Sequence, residues 1–174
     1  FISGSEIGWD LDHSGTTADK AFYNNYLKAS YVADAPGGTS NTYYSSFAQP
    51  VSSSIYASHD TITFDNGTHG TYNVSYPDVI TTINGSAADL HYATSGTDYA
   101  CVHYAGIFNG GTTTGKLVYM SYPFETIYPA SMRDTVMKDV LIYFFSDQNQ
   151  TTGIQTSNNV YNATLKLYPN PTTG

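Results

Sequence analysis

Hydrophobic and polar positions follow two different periods along this chain. Over residues 17–29, Ala18, Phe22, Tyr26 and Ala29 fall four, four and three residues apart, the spacing of a single helix face. This predicts an amphipathic helix capped by Thr16 or Thr17, with Asp19 in the first turn, where the helix dipole favours negative charge. Met132, Val136, Val140 and Phe144 recur every four residues and predict a second helix, capped by Ser131 and ending near Ser146. Between the two lie short segments that read as strands. They are Tyr31-Val32-Ala33, Ile62-Thr63-Phe64, the period-two stretch 72–76, Leu90-His91-Tyr92, residues 100–105, and the apolar run 116–120, which has the character of a central strand. Asp65-Asn66-Gly67 and Asn109-Gly110-Gly111 are turn signals.

At the start, Phe1-Ile2 reads as the end of a buried strand. The glycine-bracketed turn Gly4-Ser5-Glu6-Ile7-Gly8 stands where a parallel strand would feed a helix. Residues 35–46, rich in Gly, Ser, Thr and Tyr, read as a long loop. The expected organisation is one α/β domain over 1–146, a polar linker over 147–159 and a separate unit over 160–174.

Composition narrows the setting. With 174 residues, 40% of them hydrophobic, the chain can bury one core. Only 11% of residues are charged, against 17 tyrosines, so hydroxyls and amides carry the solubility, as suits an extracellular surface. A net charge of -8 with six Lys plus Arg offers no basic patch for a phosphate backbone, and nucleic acid is not an expected partner. The single cysteine, Cys101, excludes an internal disulfide and a cysteine-based zinc cluster. No apolar run is long enough to span a membrane. The chain opens with neither an initiator Met nor a signal peptide, so residue 1 is expected to be a cut inside a domain. A sheet begun at such a cut lacks its first strands, and the missing N-terminal part or other copies in an assembly are the expected cover.

The end of the chain, Leu165-Lys166-Leu167-Tyr168-Pro169-Asn170-Pro171-Thr172-Thr173-Gly174, resembles the opening of the C-terminal sorting domain of type IX secretion substrates of the Bacteroidota. The resemblance implies export to the cell surface or the medium, with the secretion machinery as a partner. Asp60-Thr61-Ile62 and Asp134-Thr135-Val136 resemble the O-glycosylation triplets of such bacteria, Thr61 being the better placed.

The main body resembles the latter half of a class I glutamine amidotransferase-like domain. Gly4-Ser5-Glu6-Ile7-Gly8 matches the position of that family's G-x-C-x-G nucleophile elbow, and KLVYMSYPFE over 116–125 is similar to the strand ending in its histidine-proline-glutamate motif. The resemblance implies a flavodoxin-like parallel sheet flanked by helices, with extra strands and loops. It also implies lost glutamine chemistry: Glu6 occupies the cysteine position and Tyr122 the histidine position, leaving Glu125 one residue beyond the ideal spacing.

Other residues carry candidate chemistry. Cys101 and His103 share a strand face and could form a dyad, though a buried cysteine beside a half-buried histidine is the favoured reading. Asp10, Asp12, Ser14 and Asp19 have the alternating oxygens of a calcium loop, without its closing acid; no other cofactor is expected. Trp9, Tyr43, Tyr44 and Tyr56 are candidate stacking platforms for a sugar ring.

Two functions follow. The first is a non-catalytic accessory or interaction module that contacts glycans or other subunits. The alternative is a carboxylate-dependent hydrolase or lyase acting on polysaccharide or cell-wall material, with Glu6 and Glu125, or Asp10 and Asp12, as acid and base.

Overall fold

The computed structural model describes residues 1–37, 47–92 and 96–146; the linker 147–159, the sorting-signal resemblance at 160–174, and Tyr43 and Tyr44 lie outside them. The fold is mixed α/β, a curled sheet of eight strands with a few helices. The strands are β1 (Ile2–Ser3), β2 (Ala29–Ala33), β3 (Phe47–Pro50), β4 (Ile62–Thr63), β5 (Val79–Thr82), β6 (Ala87–Tyr92), β7 (Tyr99–Ile107) and β8 (Thr114–Met120). The helices are α1 (Thr17–Phe22) and α2 (Ala130–Phe145), with π-helical turns at Trp9–His13 and Tyr23–Leu27 and a 3-10 turn at Phe124–Thr126.

The expected parallel sheet is not what these strands form. Order runs β1-β8-β7-β6-β3-β4, with β5 joining the start of β7 and carrying β2 on its other side. Among the described residues only β1 and β8 pair in parallel, Ile2 against Tyr119 and Ser3 against Met120. The other pairs are antiparallel. Pairing direction has no signature in hydrophobic alternation, because a strand buried on both faces reads the same either way. The run 116–120 is indeed internal, flanked by β1 and β7. The stretch 72–76 is not a strand; it contributes a single bridge, Asn66 to Asn73.

Alternation along β7 and β8 sorts side chains onto the two faces. Cys101, Val118 and Met120 enter the larger core cluster with Phe64, Tyr92, Tyr122, Val136 and Val140. Val102, Leu117 and Tyr119 face the smaller one with Tyr23, Leu27, Ala29 and Ile80. Helix α2 buries Val136 and Val140 as its four-residue spacing predicts, each contributing about 2 kcal/mol. Its N-cap is Pro129 rather than Ser131, and Lys116 donates from Nζ to the Tyr143 carbonyl at 2.7 Å near its C-terminus, where a cation suits the dipole.

The first predicted helix differs in its face. Thr16 is the N-cap, and its hydroxyl and the Asp19 carboxylate form a reciprocal capping box. The regular helix stops at Phe22 and continues as a wider π turn, which rotates Tyr23 and Leu27 into the core and leaves Phe22 and Tyr26 largely exposed.

Candidate functional site

Strand β1 ends in a sharp turn that delivers the chain into the helical segment beginning at Ile7. The Gly4 amide still donates to the Met120 carbonyl, and the Asp10 amide donates to the Glu6 carbonyl at 2.8 Å. Glu6 itself stands between these two frames with φ +65°, a region that side-chain-bearing residues adopt at a cost of about 1–3 kcal/mol. Its Oε1 is buried and has no hydrogen-bond partner. Burial, followed by the negative charges of Asp34 and Asp10, raises its carboxyl above the ordinary carboxylate range.

Beneath the turn lies Asp78, fully buried at the start of β5. Its Oδ2 accepts the Gly8 amide at 2.7 Å, whereas Oδ1 has no partner. Burial pushes this carboxyl up to about 7, opposed by the Gly8 amide and supported by the charges of Glu6 and Asp34; the Trp9 amide acts weakly against it. The Asp78 backbone is fastened as well, its carbonyl accepting the hydroxyls of Ser121 at 2.6 Å and Tyr92 at 3.2 Å. Gly8 is required here: a Cβ would come within 2.8 Å of the Tyr23 hydroxyl oxygen and 3.1 Å of Asp78 Oδ2. Tyr31, on β2, completes the group, its phenol pushed up to about 12 by burial and by the charges of Asp34, Asp78 and Glu6.

The arrangement gathers a strained glutamate, a buried aspartate with high proton affinity, a second aspartate and a phenol around one turn. Such a set can hold or transfer a proton near neutral pH. Asp34, Asp78 and Tyr31 escape sequence reasoning because each is a lone residue in or beside an ordinary strand; only the glycines around Glu6 marked the place.

The other candidates fall elsewhere. Glu125 is exposed on the 3-10 turn and accepts the Tyr72 hydroxyl at 2.8 Å; the charges that bear on Glu6 are those of Asp34 and Asp10 instead. Tyr122 is wholly buried and stacked on Phe64, with ring centroids 4.4 Å apart. Asp12 accepts from the Tyr31 amide, the Ser30 hydroxyl and the Asn24 amide group, and Asp19 serves the Thr16 cap. Two of the four proposed calcium ligands, with Asp10 and Ser14 the others, are thus committed to different structural bonds. Among the described residues no three acids, histidines or cysteines are grouped to hold a metal ion.

Cys101 is fully buried, its thiol raised well above the ordinary range by burial and the charge of Asp89, while His103 Nδ1 lies 2.9 Å from Asp89 Oδ1. The buried-cysteine reading of this pair therefore describes it. Trp9 is 37% exposed just past the elbow, 6.1 Å from the His13 ring, which lies 5.3 Å from that of Tyr31. Tyr56, in contrast, is buried in the core and offers no platform. Thr61 is half-buried at the edge of β4. Among the described residues no helix is long and apolar enough to cross a membrane. Neither a family model, nor a curated protein, nor a solved structure matches this chain.

Proposed function

We propose that this chain is a module of an exported cell-surface or extracellular protein and that its elbow is the working site of a carboxylate-dependent hydrolase or lyase acting on polysaccharide or cell-wall material. One observation carries the reading: Glu6 is held at φ +65° with an unpaired buried oxygen among like charges. Strain and a raised carboxyl cost stability, and such costs concentrate where they serve chemistry. Glu6 is the general acid, giving its proton to the leaving oxygen, and Asp34 is the candidate base. Export rests on the type IX sorting resemblance at 165–174. The amidotransferase-like resemblance of the turn draws support from the elbow's positive φ and from the parallel seating of β1 on β8.

The second reading, an accessory module held against other polypeptide, is favoured by a different observation. Leu141, Ile142 and Phe145 are 48%, 55% and 60% exposed along α2. One comparison separates the two. The native protein and Glu6→Gln are incubated with bacterial polysaccharide and peptidoglycan, and new reducing ends and unsaturated products are measured. Turnover lost in the variant by about 100-fold or more supports the enzyme; turnover absent in both leaves the accessory module, and turnover equal in both removes Glu6 as the acid.

A further inference from the structure

We propose that Asp78 is the positioning residue of the elbow: buried beneath the turn, it holds the Gly8 amide, sets where Glu6 and Trp9 stand, and feels the charge on Glu6 through that same turn. The inference rests on the elbow being the working site.

The geometry gives Asp78 two kinds of attachment. Its carbonyl is anchored to the sheet interior by Ser121 and Tyr92, so the backbone at 78 is fixed from behind. Its carboxylate reaches the other way, to the first amides of the helical segment that carries Trp9. A Cβ on Gly8 would crowd Asp78 Oδ2 and the Tyr23 hydroxyl, so the turn is seated tightly on this contact. A carboxylate on a backbone amide is a charge-assisted bond, roughly twice as strong as its neutral counterpart. The clamp is therefore tightest when Asp78 is ionised.

The ionisable groups facing Asp78 come from every element packed around it. Glu6 contributes from the elbow, Tyr31 from β2 and Asp34 from just after it, Tyr23 from the second π turn, Tyr92 from β6 and Tyr119 from β8. The resolved influences of Glu6 and Asp34 are both negative and oppose ionisation; the Gly8 and Trp9 amides oppose them. Neutralising Glu6, by a proton or by a bound cationic or proton-donating group, thus favours the charged Asp78 and tightens the clamp. Coupling of this kind is reciprocal, so a tight clamp favours neutral Glu6 in turn.

The test is an NMR titration of the full chain, following the backbone amides of Gly8 and Trp9 from pH 5 to pH 9 in the native protein, Glu6→Gln and Asp78→Asn. In the native protein both amides titrate near neutral pH. Glu6→Gln lowers that midpoint by ~0.5 pH unit or more, and Asp78→Asn abolishes the transition while its amide oxygen keeps the Gly8 bond. Amides silent near neutral pH, or a midpoint unmoved by Glu6→Gln, overturn the proposal. The native and Glu6→Gln proteins decide the matter even where Asp78→Asn does not fold. Loss of turnover in Glu6→Gln with an unmoved Gly8 midpoint sinks Asp78 alone; a shifted midpoint with no turnover to lose sinks the enzyme reading and leaves the coupling.

Discussion

Asp65 and Asp78 are both buried carboxyl groups, and the protein treats them in opposite ways. In the turn after β4, Asp65 Oδ1 accepts the amides of Gly67, Thr68 and His69, and Oδ2 accepts the amide and hydroxyl of Thr71. Burial works to raise this carboxyl, but the Thr71, His69 and Gly67 donors hold it well below the ordinary range. Beneath the elbow, Asp78 has one short amide bond and an oxygen with none, and burial wins. Supply of donors weighs heavily in whether a buried acid stays charged. The Asp65 turn is built for stability, whereas the elbow leaves its acid under-supplied.

Removing the donors' target should have the largest effect. Asp65→Ala orphans four amides and a hydroxyl at once, and its thermal midpoint should fall furthest of the variants considered, by several degrees or more in calorimetry. The sign is that of a depressed acid: its stabilisation is present above the ordinary aspartate range and fades as pH falls through the folded-state value. Asp78 runs the other way. Its contribution is complete below its unfolded value of 3.8 and is lost as pH rises through about 7, by ~4 kcal/mol at most. Asp78→Asn should therefore gain stability over the native protein at pH 8 and little at pH 4 in urea titrations; equal pH slopes for the two proteins would break the contrast with Asp65. The smallest expected change is a gain. Glu6→Gly should relieve the positive φ and raise stability by about 1 kcal/mol, read in the same urea titrations.

The regular elements were legible wherever a local period governed them. Helix α2, the Thr16 cap, the Asp65-Asn66-Gly67 turn and the strands around 31–33, 90–92 and 116–120 all follow from neighbours within a few residues. The inward face at 17–27 was misread because a π turn changes the angular step, and no sequence period announces that change. For the elbow, the glycines on either side of Glu6 gave away the turn, and Gly8 is indeed held to glycine by its neighbours. Asp78 was invisible for a different reason: it meets Gly8 across 70 positions of chain, in a contact that only the completed sheet creates.

The parallel seating of β1 on β8 joins Ile2 to Tyr119, across most of the span the structure describes. Closing so long a loop is entropically expensive, and among the described residues β8, itself paired with β7, is the strand that receives β1. The bend at Glu6 thus depends on a strand far along the chain, although it lies near the first residue. A chain lacking residues 114–120 should therefore lose the seat of β1, and with it the bend that holds Glu6 at positive φ.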